Sequence, residues 1–138
     1  MATDHYQAQL DHAGQYLEGR GLTPAVASTR RLGYVGDPLV GHEQYTGRLV
    51  IPYLTPAGVV DIRFRAIHEG QDPKYLSRPG AKSSMYGVTV FQDPGDVIAI
   101  CEGEFDAIIA TELCGIPAVG VPGVSNWHGL TIEEIKLT

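Results

Sequence analysis

Long apolar stretches are missing from this chain of 138 residues. No run approaches the roughly 20 residues that a membrane span needs, and the opening MATDHYQAQLDH has neither the basic start nor the apolar core of a secretory leader. A cytoplasmic protein is expected, with no membrane partner. Cysteine is scarce as well. Cys101 and Cys114 form no Cys-x-x-Cys pair and fall in stretches read as buried, so both are assigned to core packing, and neither a structural zinc nor a disulfide is expected. The five histidines show no ligand spacing and are read as solvated, and Trp127 is read as the anchor of the final loop. Positive charge is in deficit, with 10 Lys and Arg against 16 Asp and Glu and a net charge of -6. Taken alone, that argues against a nucleic-acid binder. Repeats and low-complexity tracts are absent too. What is present is an ordinary 43% apolar content, enough to build the core of one domain or of two small halves.

The charge is unevenly placed. Residues 48–82 hold Arg48, Arg63, Arg65, Lys74, Arg78 and Lys82 against Asp61, Glu69 and Asp72, whereas residues 93–138 hold eight carboxylates against Lys136. A basic middle beside an acidic end suits a protein that places phosphates near carboxylate-held metal. Charge alone favours the plainer reading, an ordinary solvated surface.

Tyr6, Leu10, Ala13 and Leu17 lie on one face of a helix expected over residues 4–18 and ended by Gly19 and Gly21. Thr23-Pro24 is an N-cap followed by proline in the first turn, so a second helix should run to about Arg31 and stop at Gly33. Residues 36–46 read as a loop. Residues 48–54 and 59–67 are strand-like and flank Thr55-Pro56-Ala57-Gly58, with proline and glycine where a type I turn takes them. A hairpin follows. In its second arm, alternation puts Val60, Ile62, Phe64 and Ala66 on a packed face and Asp61, Arg63 and Arg65 on a face turned outward or toward a groove. Lys74-Tyr75-Leu76 leads into a loop over residues 77–84 that contains Arg78 and Lys82. Such a loop can hold cations and a ring for phosphates or bases. Pro94-Gly95 marks a subdomain boundary, giving residues 1–92 and 93–138.

Residues 97–121 organise the second part. Residues 97–101 form an unbroken apolar run, the pattern of a strand buried on both faces of a parallel sheet. Phe105, Ile108, Ile109 and Leu113 then recur at helical spacing, Gly115 closes the helix, and residues 118–121 make a second apolar run. Strand, helix and strand with tight connections read as a right-handed parallel unit, with Glu102 at the carboxyl end of the first strand, where open α/β sheets place ligands.

Glu102-Gly103-Glu104-Phe105-Asp106 after such a strand resembles the opening motif of the Toprim fold. Three further blocks stand in order before it: residues 16–23 leading to Leu32-Gly33-Tyr34, the hairpin that begins at Arg48 and runs through Arg65, and Pro73-Lys74-Tyr75-Leu76-Ser77 through Tyr86-Gly87. Together the four resemble the catalytic core of the bacterial-type, DnaG-like DNA primases. The resemblance implies an α/β chain: an α+β N-terminal subdomain with a hairpin-containing sheet over residues 1–92, which holds template and nucleotide, then a partial βαβ Toprim unit over residues 93–138. It implies magnesium-dependent nucleotidyl transfer that makes short RNA primers on single-stranded DNA from ribonucleoside triphosphates. Lys74 and Tyr75 match the family's basic-aromatic pair, and Arg48 and Arg65 match groove arginines. Lys82 approximates a further basic position, with its spacing to Tyr86 one residue shorter than the family pattern. Arg63 and Arg78 join them as nucleic-acid or nucleotide contacts. Glu102 matches the Toprim glutamate at the metal site, and Asp106 matches the acidic residue of the following helix.

No Asp-x-Asp triplet follows Glu102, although a full Toprim subdomain takes metal ligands from one on a later strand. The leading expectation is therefore a primase fragment or split subunit of a phage-like replicon. A second polypeptide would complete the magnesium site, which would be weak or absent in this chain alone. The alternatives are a non-catalytic nucleic-acid- or nucleotide-binding module or regulator derived from a primase, and a Toprim nuclease or topoisomerase fragment, which the Pro-Lys-Tyr-Leu block disfavours.

Overall fold

In a computed structural model, which describes residues 2–82 and 84–121, the helix expected over residues 4–18 forms in three pieces. These are α1 (Ala2–Gln7), a 3-10 turn (Leu10–Ala13) and α2 (Gly14–Gly19). The interruption has a tertiary cause: Gln9 leaves helical geometry, and its Oε1 accepts from the backbone N–H groups of Gly36 and Asp37 at 3.0 and 2.6 Å. Tyr6, Ala13 and Leu17 are buried as the apolar stripe requires, but Leu10 is only half-buried. Helix α3 (Pro24–Thr29) is capped as expected, with Thr23 Oγ1 accepting from Val26 N at 3.2 Å. It stops sooner than Gly33, because Arg31 takes the left-handed conformation with φ 56° and pairs with Asp4. Gly33 serves another purpose. A Cβ there would lie 2.6 Å from the Tyr6 carbonyl carbon, so glycine lets β1 (Gly33–Tyr34) run against the backbone of α1.

The chain divides into two compact units, Met1–Pro52 with Asp61–Ala81, and Tyr53–Val60 with the residues from Lys82 onward. The hairpin belongs to both. Its arms are β2 (Leu49–Thr55) and β3 (Gly58–Arg65), and the turn is fixed by Thr55 Oγ1, which accepts from Ala57 N and donates to Gly58 O. The sheet order is β1-β2-β3-β4, where β4 (Tyr75–Ser77) is a short edge strand that runs up to the loop expected over residues 77–84. In the first unit Leu49, Val50, Ile51 and Phe64 are fully buried, at about 1.5–3 kcal/mol each. The Tyr45 ring stacks on Phe64 at 3.8 Å. His42 is not simply solvated: its Nδ1 is 2.6 Å from Tyr6 Oη, and its ring packs against Tyr45 and Phe64. His68 Nε2 lies 3.0 Å from Tyr34 Oη, and His5 Nε2 is 2.8 Å from the Asp37 carbonyl.

The second unit contains the expected parallel pair. Strands β5 (Ala99–Cys101) and β6 (Ala118–Gly120) flank α4 (Glu104–Ile108), which continues as one wide π-type turn, Ile109–Leu113. Ile116 and Ala118 are bonded back to this turn through Ala110 O and Thr111 Oγ1. Met85, Val88, Val119 and Val121 form a core cluster with Val90, Phe91 and Ile98. A 3-10 segment, Val88–Gln92, which sequence patterning does not signal, supplies part of it. Two expectations change here. The run from Val97 to Cys101 is not buried on both faces, since Val97 and Ile100 are exposed. The wide turn adds a residue to the helical period and swings Leu113 and Cys114 outward, so Cys114 is exposed; Cys101, at the end of β5, is half-buried. The mixed fold class stands as read, an antiparallel hairpin-containing sheet followed by a parallel βαβ unit. The expected loop at residues 122–127, Trp127 and His128 lie outside the described residues.

Candidate functional site

Strands β3 and β4 assemble the basic-aromatic cluster. Their antiparallel register sets Arg65 opposite Tyr75 and Arg63 opposite Ser77, on one face of the pair. Arg63 Cζ lies 4.0 Å from the centroid of the Tyr75 ring, the geometry of a cation–π contact. Arg65 Nη1 donates to Tyr75 Oη at 2.7 Å, and its Nε donates to Tyr16 Oη at 2.8 Å. This face was expected to look outward or toward a groove. Instead Arg65 is 7% exposed and Asp61 9%, because tyrosines from two other elements and the Arg78 guanidinium close over it. Burial works against the Arg65 charge, but the hydrogen bonds and fields of Tyr16 and Tyr75 outweigh it and hold the guanidinium above its ordinary pKa. It stays charged. Asp61 Oδ1 accepts from Arg78 Nη2 at 3.1 Å and from Ile62 N at 2.8 Å.

The approach to Tyr75 is fixed from beneath. Arg48, 4% exposed, donates Nη1 to the carbonyl of Pro73 at 2.7 Å, and Lys74 O accepts from Ala66 N at 2.7 Å. Gln71 braces the turn before it: Oε1 accepts from Ile67 N and His68 N, and Nε2 donates to Gly47 O. Lys74 stands exposed beside this braced backbone, and Arg78 is exposed just past β4. Arg63, Arg65 and Tyr75 are thus brought together, with Lys74 and Arg78 at the two ends of the same strand. Arg48 lies under the backbone rather than among them. Lys82 is exposed and belongs to the second unit.

In the second unit Glu102 is exposed directly after β5, and Asp106 is exposed on α4. Gly120 brings β6 close to the motif, since a Cβ there would be 2.7 Å from the Gly103 carbonyl oxygen. Glu104 is the unexpected member: 1% exposed, it accepts from Tyr53 Oη at 2.6 Å. Burial, then the field of Asp106, pushes the Cys101 thiol up. Among the described residues no three His, Cys, Asp or Glu side chains gather as metal ligands. Glu102 is a single exposed carboxylate, and the described residues gather no magnesium ligand set around it.

Sequence reasoning missed Tyr16, Asp61 and the Tyr53–Glu104 pair. Tyr16 offers one signal, a phenol placed off the apolar stripe of its helix. The others have none, because their partners lie 17 and 51 residues away.

No family model matches the chain. The Gene 57 protein of Mycobacterium phage D29 is 44% identical over 88 residues, 60% of this chain and 57% of that protein. Among solved structures, the RNA polymerase domain of Mycobacterium tuberculosis primase DnaG matches with a TM-score of 0.71 at 23% identity, over 89% of this chain and 54% of that one. The zinc-binding and RNA polymerase domains of Aquifex aeolicus primase give 0.71 at 25%, over 88% and 40%. The fold is that of the DnaG primase core. A DnaG catalytic domain bound to single-stranded DNA matches it too, with a TM-score of 0.68 at 20% identity over 89% of this chain and 51% of that one. The chain therefore spans about half the length of these solved primase domains and of the phage protein that it matches.

Proposed function

We propose that the chain is the template- and nucleotide-holding part of a DNA primase that makes RNA primers on single-stranded DNA by magnesium-dependent nucleotidyl transfer. The observation that supports this most is the braced cluster on β3–β4, where Arg63 lies over Tyr75 and Lys74 stands exposed beside it, on a primase core fold. A guanidinium over a phenol is a flat cationic surface, suited to a phosphate or to the face of a base. Lys74 and Arg78 add charge for the template backbone or a triphosphate, and Lys82 does so from the second unit. Arg48 and Arg65 act as positioning residues, one under Pro73 and the other on Tyr75. Glu102 is the carboxylate assigned to magnesium, which would neutralise charge on the reacting phosphates, and Asp106 lies on the helix that follows. The remaining ligands come from outside the described residues, on this chain or on a second polypeptide. The phage relative agrees with a compact replicon as the setting.

A second reading is a binding module derived from a primase and without chemistry, favoured by the lack of a carboxylate cluster among the described residues. Labelled ribonucleotide incorporation on single-stranded DNA with magnesium separates the two. It is measured on the chain alone and with the product of the neighbouring reading frame. Incorporation that Glu102→Gln abolishes without changing the melting temperature is the expected result. Retained DNA binding with no incorporation in either mixture leaves the binding module.

A further inference from the structure

Away from the β3–β4 cluster, the first unit has a second concave feature, a cleft of about 660 Å³ between the 3-10 turn and α2 on one side and α3 on the other. Leu17, Leu22 and Ala27 are the buried part of its lining, and Leu10 and Pro24 extend the apolar surface outward. The volume falls in the range of sites that hold a ligand or an anchoring side chain, ~300–1,000 Å³. Its charged lining is Asp11 and Glu18, both exposed, with no Lys or Arg. Two carboxylates with no cation repel a phosphate backbone, so the cleft does not extend the nucleic-acid surface. Every wall is helical or a turn between helices, and no strand edge offers a ladder to an extended peptide. The complementary element is another helix, laid into the groove between two helices.

We propose that this cleft docks a cationic amphipathic helix of a partner protein. Leucine-like side chains at i, i+3 or i+4 and i+7 pack against Leu10 and Pro24 over the buried floor of Leu17, Leu22 and Ala27, while lysine or arginine on the flanking positions meets Asp11 and Glu18. Nothing in this reading depends on the chain being a primase.

The structure supplies its own blocking variant. Gly14 lines the cleft in right-handed helical geometry with φ -55°, and a Cβ there would meet nothing within 4 Å. Gly14→Leu therefore adds a bulky side chain at a cleft-lining position without straining the backbone, and it replaces a poor helix former by a good one. The probe is a synthetic amphipathic helical peptide with leucine at heptad-like spacing and lysine elsewhere, titrated into the isotope-labelled full chain and followed by amide shifts. Its twin carries glutamate for lysine. The lysine peptide should shift the amides of Leu17, Leu22 and Ala27 saturably, and Gly14→Leu should abolish those shifts. Asp11→Lys with Glu18→Lys should weaken binding about tenfold or more, which is about 1.4 kcal/mol, and the glutamate peptide should not bind the natural chain. Circular dichroism establishes that both variants stay folded. Equal binding of the two peptides, binding indifferent to Gly14→Leu, or no saturable shift in the cleft with the lysine peptide would each overturn the proposal.

Discussion

Arg65 shows how little a residue type says about its task. An arginine on a strand beside a basic loop reads as a phosphate contact, yet 93 parts in a hundred of its surface are covered, and its Nε and Nη1 are committed to two phenols. It fixes the Tyr75 ring, and that ring fixes Arg63 above it. The planar fork matters because two donors point at two fixed oxygens, a geometry that a lysine ammonium on a flexible stem cannot reproduce. Arg65→Lys, which keeps the charge, should therefore lower the stability of the first unit by about 1.5–3 kcal/mol, read as a lower urea midpoint. An unchanged midpoint would show that the two phenols contribute nothing through Arg65.

Elements were legible where their signals are local and obscure where a distant partner makes them. The Thr23-Pro24 cap, the Thr55–Gly58 turn and the βαβ rhythm of residues 97–121 are written in neighbouring residues, and all formed. Strand β4 is three residues long and exists through its pairing with β3, so nothing within Tyr75–Ser77 announces it. The burial of Asp61 and Arg65 was hidden likewise, because alternation along a strand separates two faces without saying which is later covered. Cys114 was misread for a third reason, a wide turn that breaks the helical period. Around the β3–β4 cluster, Lys74 and Tyr75 were singled out from the sequence, and the contacts of Tyr16, Arg48 and Gln71 that brace this strand pair and its turn were not. The closeness of β6 to the Glu102 motif belongs to this scale as well. Since a Cβ at Gly120 would meet the Gly103 carbonyl oxygen at 2.7 Å, Gly120→Ala must push apart the strand and the start of α4. A loss of about 1–3 kcal/mol is expected, as for other overpacked sites. Amide shifts should concentrate at residues 102–107. Shifts that leave those residues untouched would mean that the motif does not depend on β6.

For the whole molecule the proposed function requires a chain of net charge -6 to hold a polyanion. Its cations are concentrated: residues 48–82 contain six against three carboxylates, and two of the six, Arg48 and Arg65, are buried as braces. The exposed share is Lys74, Arg78 and Lys82, with Arg63 half-exposed over its ring. So few cations cannot overcome the long-range repulsion of the remaining chain at low salt as a strongly basic protein would. Single-stranded DNA binding should therefore rest on a small number of phosphate contacts, each with a slope of about -0.7 in log K against log salt. Three or four contacts give a total slope of roughly -2 to -3 by that rule. Removing one contact with Lys74→Ala should flatten the slope by about 0.7 and weaken binding at every salt concentration. Fluorescence anisotropy of a labelled oligonucleotide over a salt series reads both. A Lys74→Ala slope and affinity equal to those of the natural chain would remove Lys74 from the surface. A lower affinity with the slope unchanged would mean that the lysine shapes the Tyr75 platform and does not contact a phosphate.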